Sequence, residues 1–515
     1  MNLLRALAST SGFTLLSRIT GLIRDVIVTA TFGASGVRDA FEIAFQLPNM
    51  MRRLFAEGAF SQAFVPLLGR TRATEGDAAT KQLIDRVATA QCVALIAFTA
   101  VGMLFAPWIV LLFASGFEAV PGKVDLTAQL LQLMFPYLVF VSLVALSGGI
   151  LNTWRHFAIP AFTPVLLNVS MITGAILIAP KLTNPIMGLA WGVVLGGIAQ
   201  LALQVRPLMK LGMRPSPDFH LRDPAVIGVL KAMGPALLGV SVAQISMLIN
   251  TNYASYFGEG SVSWLKTADR LMEFPIGLLG VALGTVLLPS LARAASKNEN
   301  TEYSALLDWG LRLTLMLALP AAIVMATLGE PITAMLFERG KFSAHDVAQT
   351  NWAVMAYAVG VLGLIAVKIL APGFYVHADL RTPVKISIVV LIVTQIVNAI
   401  LVFFVVPAAQ RHAALALGTS IGALVNAALL LRGLRTRAHY TPRAGWPSFT
   451  LKIFAALLVL VAVCLVGRDK LGPWSGVSEL SRITKLFALL TFAGSAYMIA
   501  LFAMGFRLQD FKKQS

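Results

Sequence analysis

The chain has 515 residues, of which 57% are hydrophobic and 13% charged, whereas soluble domains carry about 25% charged residues. Too few polar groups are present to clothe a soluble fold of this length, which excludes an ordinary cytosolic enzyme and a disordered chain. Lys plus Arg number 41 against 24 Asp plus Glu, a net charge of +17, and in a membrane protein that excess marks cytoplasmic loops rather than a nucleic-acid surface.

The apolar runs are long and continuous, not the short alternating segments of a β-barrel, so the fold class expected is an all-α polytopic membrane protein. A first helix near 12–33 carries Arg18, Arg24 and Asp25 and reads as a spanning helix with internal charge, not as a cleavable leader. A second, near 39–69, opens at Asp39, bends at Leu47-Pro48-Asn49 and then holds Arg52, Arg53 and Glu57. Helices near 83–114, 126–153, 160–179 and 185–206 complete an N-lobe, residues 1–206, and a polar linker covers 207–224. The C-lobe, 225–434, opens with a helix near 226–257. The next, near 262–294, holds Asp269, Arg270 and Glu273 ahead of Phe274-Pro275. Four more lie near 304–328, 347–373, 382–405 and 412–433. A polar loop at 435–448 leads to two last helices near 449–467 and 483–505 and a basic tail within 449–515. The total is about fourteen spans at about 20 apolar residues each.

With the N-terminus in the cytoplasm, alternating loops place about twenty Lys and Arg on the cytoplasmic side and about half as many opposite, Lys123 among the latter. That bias obeys the positive-inside rule and puts both termini in the cytoplasm. An internal repeat is also visible. Ile150-Leu151 followed by Thr163-Pro164 matches Ile369-Leu370 followed by Thr382-Pro383, Val65-Pro66 matches Leu288-Pro289, and Leu47-Pro48 matches Phe274-Pro275. Helices one to six and seven to twelve are therefore expected to be two copies of one six-helix unit in the same orientation. In transporters of that design the substrate site lies at the repeat interface.

The informative residues are the ionisable groups inside apolar helices. Each costs about 2.5–3.5 kcal/mol at a helix centre on the lenient insertion scale, so they must face one another or water. Arg53 and Glu57, like Asp269 and Glu273, are four residues apart and share a helix face; Arg18 and Asp25, seven apart, do likewise. Two readings stand side by side: bridges that lock helices, or the lining of an anion-binding cavity. Arginine suits phosphate because its guanidinium stays protonated and offers a fork of donors, and Arg18, Arg24, Arg52 and Arg270 are the candidates for that contact. Lys368, Arg206 and Arg293 read as snorkelling cations near helix ends. Gly188, Gly192 and Gly196, and Gly280 with Gly284, fit close helix packing. Cys92 and Cys464 sit alone in apolar runs, the six His show no metal spacing, and no phosphate-cradling or nucleophile motif occurs. No metal or other cofactor is expected, and transport without a P-loop must draw on an ion gradient, the membrane potential or the substrate's own gradient.

Three stretches resemble a known family. They are Ser17-Arg18-Ile19-Thr20-Gly21-Leu22-Ile23-Arg24-Asp25 with Asp39-Ala40-Phe41, the run from Leu47-Pro48-Asn49 through Arg52-Arg53 to Ala56-Glu57-Gly58, and Ala268-Asp269-Arg270-Leu271-Met272-Glu273-Phe274-Pro275. With Ala371-Pro372-Gly373-Phe374-Tyr375 they are similar to the MurJ (MviN) family of bacterial lipid II flippases, within the multidrug/oligosaccharidyl-lipid/polysaccharide exporter superfamily, over nearly the whole length. The resemblance implies two six-helix lobes plus two C-terminal helices forming a lipid-accessible groove, in the bacterial inner membrane. It implies export of lipid II, the undecaprenyl-pyrophosphate-linked precursor of peptidoglycan, to the periplasmic leaflet by alternating access through a central cationic cavity. By motif position, Arg18, Arg24, Arg52 and Arg270 become cavity arginines, and Asp25, Asp39, Glu57 and Asp269 the important acidic positions. Arg53 and Glu273 join the charge network through their spacing. Some relatives hold sodium between helices seven, eleven and twelve; here those helices offer Asn250, Asn398 and Asn426 without an interior carboxylate, which does not favour such a site. Membrane lipids and the cell-wall synthesis machinery are the other expected partners. The competing readings are a sibling exporter of another polyprenyl-linked oligosaccharide or of drugs, and a polyprenyl-phosphate transferase, which would need loop acids beyond Asp218 and Asp223.

Overall fold

The computed structural model describes residues 3–53, 59–297, 299–437 and 440–507, with side chains from residue 11 onward except at 59, 235–240, 243, 281–282 and 285. Glu57 lies outside the described residues. The described chain is helical throughout its regular structure and forms two compact units, Met1–Gly260 and Ser261–Ser515.

In the first unit α1 (Leu3–Phe32) and α2 (Gly36–Met51) are joined by a short turn in which Ser35 caps α2, its hydroxyl accepting the Arg38 N–H. Helix α3 (Ala59–Leu104) runs through the polar stretch 70–82 that reads as a loop in the sequence. The chain kinks there at Gly76, whose φ of 82° suits glycine, with helix on both sides because Arg, Ala, Glu, Lys and Gln are good helix formers. A short α4 (Ala106–Phe113) follows. The expected fourth span is two helices, α5 (Lys123–Met134) and α6 (Tyr137–Thr153), interrupted at Pro136, whose missing N–H breaks the ladder. Then come α7 (Ala158–Thr173), α8 (Ile186–Lys210) and α9 (Pro224–Ser255). Helix α1 packs along α7, α7 along α8, and α2 along α5.

The sequence repeat divides the chain at 207–224, whereas the packing boundary falls after Gly260, so α9 groups with the first unit. Both ends of α9 show why. Near its start Arg86 of α3 bonds Asp218 at 3.2 Å and Asp223 at 2.6 Å, and the Lys81 ammonium meets Asp85, which also accepts the Ser216 N–H at 2.7 Å. Near its end Tyr256 donates to the Ser115 hydroxyl at 2.9 Å and Ser255 accepts the Gly116 N–H at 3.0 Å. The His220 ring bonded to Asp218 holds that carboxyl below its usual range, against the opposing effect of burial.

The second unit contains α10 (Ser261–Pro275), a π-turn at 276–280, α11 (Val281–Ser296), α12 (Asn300–Phe337), α13 (Ala344–Ala358), α14 (Val361–Tyr375), α15 (Arg381–Ile400), α16 (Arg411–Thr436), α17 (Trp446–Leu471) and α18 (Glu479–Ala503). Helices α13 and α14 form one span bent by 42°; at the bend Gly360 lies so close to Ser420 that a Cβ would meet its Cα at 2.5 Å. The loop before α17 docks on α12 through buried Asp308. Its carboxylate accepts from the Tyr440 hydroxyl (2.8 Å), the Trp446 indole (2.7 Å) and the Arg312 guanidinium (2.8 Å).

The internal repeat has a backbone signature. Helices α6 and α14 both end in a Schellman turn whose left-handed residue is not glycine: Arg155 at φ 62° and Ala378 at φ 57°, 223 residues apart. In each turn the paired bonds close the helix, His156 N to Leu151 O at 2.8 Å and Asp379 N to Phe374 O at 3.1 Å. The π-turns at 174–178 and 401–405, after α7 and α15, correspond in the same way.

Among the described residues nine helices are long and apolar enough to cross a membrane, ten if the bent pair is one span. Helices α1, α2 and α10 are not among them; these are the helices that carry the interior charges.

Candidate functional site

Each unit holds its own arginine–carboxylate cluster. In the first, Arg24 of α1 lies against α7. Its Nε and Nη2 donate to Asp25 Oδ1 at 2.9 and 2.6 Å, and its Nη1 donates to Asn168 Oδ1 at 3.0 Å. The guanidinium is largely buried, with 16% of the side chain exposed, and Met171 Sδ lies 3.8 Å from Nη1. Asn168 turns its amide back to α1, donating to Ser17 O at 3.1 Å and Thr20 Oγ1 at 3.2 Å. Spacing along α1 pairs Arg18 with Asp25; in the structure Arg24 takes that carboxylate and Arg18 is exposed on the helix.

On α2, Pro48 lies inside the helix and Arg52 follows at its C-cap, its Nε and Nη2 donating to Asn49 Oδ1 at 3.1 and 2.9 Å. Arg53 is half-buried beside it. Asp39 stands at the other end of α2, about 20 Å away along the axis, in a separate network. It is fully buried, accepts the Gly260 N–H at 2.8 Å and pairs with the Lys123 ammonium at 3.5 Å. Lys123 in turn sits 4.0 Å from the Phe117 ring. The sequence counts Lys123 among loop cations, but it is 94% buried at the first turn of α5. No spacing rule could link it to Asp39, 84 residues earlier.

In the second unit Arg270 Nη1 donates to Glu273 Oε2 at 3.0 Å, with side chains 38% and 53% exposed. Asp269 and Glu273 both lie near Tyr357, as expected of residues that share a helix face. Half-buried Asp269 has the buried Tyr357 hydroxyl of α13 as a hydrogen-bond partner. Pro275 then ends α10 and the π-turn at 276–280 follows. Lys368 stands mid-way along α14, exposed, its stem beside Gly280 of that turn, and so is not at a helix end. The structure thus joins Arg24 with Asp25 and Arg270 with Glu273, and places Asp39 elsewhere. Asn168 and Tyr357 were missed; each is a polar side chain inside an apolar run, the same signal that marks the charged positions. Among the described residues no group of three His, Cys, Asp or Glu could hold a metal ion.

A cluster of fixed, partly desolvated guanidinium donors beside compensating carboxylates can receive a polyanion without reorganising, provided the carboxylates yield or stay aside. The comparisons with known proteins agree with that chemistry. A family model described as lipid II flippase MurJ matches residues 28–485. The lipid II flippase MurJ of Burkholderia cenocepacia is 47% identical, covering 100% of both chains, and the probable lipid II flippase MurJ of Vibrio cholerae is 39% identical over 98% of this chain and 96% of its own. Among solved structures, a lipid II flippase MurJ in an inward closed conformation matches with TM-score 0.80 and 25% identity over 95% of this chain and 97% of its own. An inward-facing multidrug transporter of the MATE family, of the MOP superfamily, matches with TM-score 0.67 at 15% identity over 82% and 94%, a likeness of fold.

Proposed function

This chain belongs to the lipid II flippase MurJ family, and from that premise we propose that it carries lipid II from the cytoplasmic to the periplasmic leaflet of the bacterial inner membrane by alternating access through a cationic cavity. It is a transporter, not an enzyme. The observation that carries the reading is full-length identity of 47% to a lipid II flippase, which the fold likeness to drug exporters does not match.

In this reading both termini are cytoplasmic and about fourteen helices span, in two lobes of six plus a C-terminal pair. Facing the cytoplasm, the cavity admits the pyrophosphate and sugars while the polyprenyl tail stays in lipid along α17 and α18. Arg24, Arg18 and Arg270 engage the pyrophosphate, with Arg52 as the next candidate; forked donors on two phosphate groups give charge-assisted bonds that a point charge cannot reproduce. Asp25, Asp39, Arg53, Glu57, Asp269 and Glu273 form the charge network that holds those arginines apart or pairs with them as gates change. Asp25 is the leading example, since it already occupies the Nε edge of Arg24. Moving an anion outward is favoured by an inside-negative potential, about 2.3 kcal/mol per charge per 100 mV, and a cycle driven by that potential needs no bound cation; an ion gradient is the other candidate driving force. Delivery to the cell-wall synthesis machinery follows.

The test is a leaflet-specific lipid II assay in cells depleted of their own flippase. Arg24→Ala and Arg270→Ala, inserted at normal levels, are expected to leave lipid II in the inner leaflet, and Arg→Lys to fail likewise. Normal export by either alanine variant would remove that residue from the mechanism. Unaltered lipid II distribution on expression of the unmodified chain would remove the substrate.

A further inference from the structure

We infer that Asn168 is a positioning residue for substrate recognition, one that fixes the Arg24 guanidinium from the neighbouring helix before the diphosphate arrives. The inference rests on the reading of Arg24 as a diphosphate contact.

Arg24 projects from a helix whose own backbone offers it nothing, since the carbonyls of α1 are engaged in the helix ladder. Left alone, a long side chain with several rotatable bonds would sample many poses, and ordering it at the moment of binding would weaken affinity. Two groups prevent that. Asp25, its chain neighbour, takes the Nε and Nη2 edge. Asn168, 144 residues later on α7, takes Nη1 at 3.0 Å. Bonds on both sides of a planar group fix its plane as well as its position, whereas Asp25 alone would leave it free to pivot about one carboxylate oxygen.

Asn168 is suited to this in a way that Asp or Ser is not. Its carbonyl oxygen accepts from Arg24 without adding negative charge beside an anion site. Its amide nitrogen donates to Ser17 O at 3.1 Å and Thr20 Oγ1 at 3.2 Å, so the amide cannot flip without losing bonds at both ends. The residue is 94% buried, in contact with the same helix face that Arg24 leaves. A carboxylate at this place would set a negative charge against the Ser17 carbonyl and bind Arg24 too strongly to release it. A hydroxyl would be too short to span from α7 to both Thr20 and Arg24.

The experiment uses the full chain in lipid nanodiscs, with undecaprenyl pyrophosphate as probe. Asn168→Ala is expected to weaken its binding by roughly five- to tenfold, the effect of one lost orienting bond. In parallel, phenylglyoxal labelling is followed residue by residue by mass spectrometry, with Arg52, held by Asn49 on another helix, as internal reference. Asn168→Ala is expected to speed labelling of Arg24 relative to Arg52 several-fold, an effect that general loosening of the fold would not single out. If Asn168→Ala does not insert, Thr20→Val, which removes one anchor of the same amide, is expected to shift both readouts the same way by a smaller factor. An unchanged Arg24-to-Arg52 ratio overturns the positioning role. A raised ratio with unaltered binding of undecaprenyl pyrophosphate overturns the inference differently, by removing Arg24 from the diphosphate site.

Discussion

Helices α2 and α5 of the first unit and α10 and α13 of the second begin at matching points of the internal repeat, and each pair packs side by side. Their joints differ. In the first unit Asp39, fully buried, meets the Lys123 ammonium at 3.5 Å and takes the Gly260 N–H. In the second, the joint between α10 and α13 is made by Trp264 and Asp346, and the indole Nε1 donates to the carboxylate at 2.9 Å. The Asp346 carboxylate also receives the Ser343 N–H and hydroxyl in a capping box at the start of α13. In the first joint the buried acid stands on the earlier helix and faces a cation; in the second it stands on the later helix and faces a neutral donor. A buried ion pair is costly to strip of one partner; a carboxylate satisfied by its own helix N-terminus is not so dependent on what faces it. The two halves therefore share a scaffold and differ in how brittle each joint is.

That difference can be broken directly. Lys123→Met leaves Asp39 buried without its ammonium and is expected to destabilise the protein by about 3–5 kcal/mol, read as a lowered thermal transition in detergent. Asp39→Asn combined with Lys123→Met should recover most of the loss. Trp264→Phe at the corresponding joint removes one neutral bond and should cost about 1 kcal/mol. Equal losses at the two joints would show that the acid in both halves leans on its partner to the same degree.

A second contrast lies between α7–α8 and α15–α16. Both pairs close over glycine, but a Cβ on Gly192 would meet Ser170 O at 2.7 Å and Met171 Cα at 2.9 Å, which are backbone atoms. A Cβ on Gly418 would meet the Asn398 side chain, which can turn aside. Gly192→Ala is thus expected to force the helices apart at about 1–3 kcal/mol, and Gly418→Ala to cost less. Because α7 also carries Asn168, Gly192→Ala should weaken export as well as stability, whereas a purely local effect would leave export intact.

How much of this was legible in the sequence depends on the range of each interaction. Among the described residues each apolar stretch expected to be a helix is helical over most of its length, and the charges in α1, α2 and α10 stand out because an ionisable group inside an apolar run violates the hydropathy of its surroundings. The Gly192 contact was readable from small residues four apart. What was not readable is who faces whom. Asp25 could have been matched with Arg18 by periodicity, yet the adjacent Arg24 takes it. Asp269 and Glu273 share a helix face as expected, but that Arg270 holds Glu273 and Tyr357 of another helix bonds Asp269 is seen only in the fold. Asn168 and Lys123 reach partners 144 and 84 residues away, and only the packing of α1 on α7 and of α2 on α5 brings them together. Two helix breaks were also not readable. The sequence reads one helix straight through Pro136, where the structure divides the span, and a loop over 70–82, where the structure has helix on both sides of a kink at Gly76.

The mildest contrast concerns the two Thr-Pro corners, Thr163-Pro164 and Thr382-Pro383. In the first, Thr163 is buried and held by neutral amides: Gln200 donates to its carbonyl at 3.0 Å and Gln204 to its hydroxyl at 3.1 Å. In the second, Arg437 donates to the Thr382 hydroxyl at 2.7 Å and pairs with Asp379, whose carboxylate also accepts the Thr382 N–H at 3.0 Å. Partial burial works against ionisation of Asp379, but the Thr382 bonds and the Arg437 guanidinium outweigh it and hold the carboxyl down at about 2. Its value in an unfolded chain is about 3.9, so the ionised form is favoured by the folded turn. The stabilisation is complete above about pH 4 and is lost as pH falls through about 2. Hydrogen exchange across 376–382 is therefore expected to lose protection in that interval, while the turn at 154–157 and the start of α7 keep theirs. Asp379→Asn should remove the dependence and leave the turn uniformly less protected. An acid response shared by both corners would mean that it comes from general loosening of the protein and not from this carboxylate.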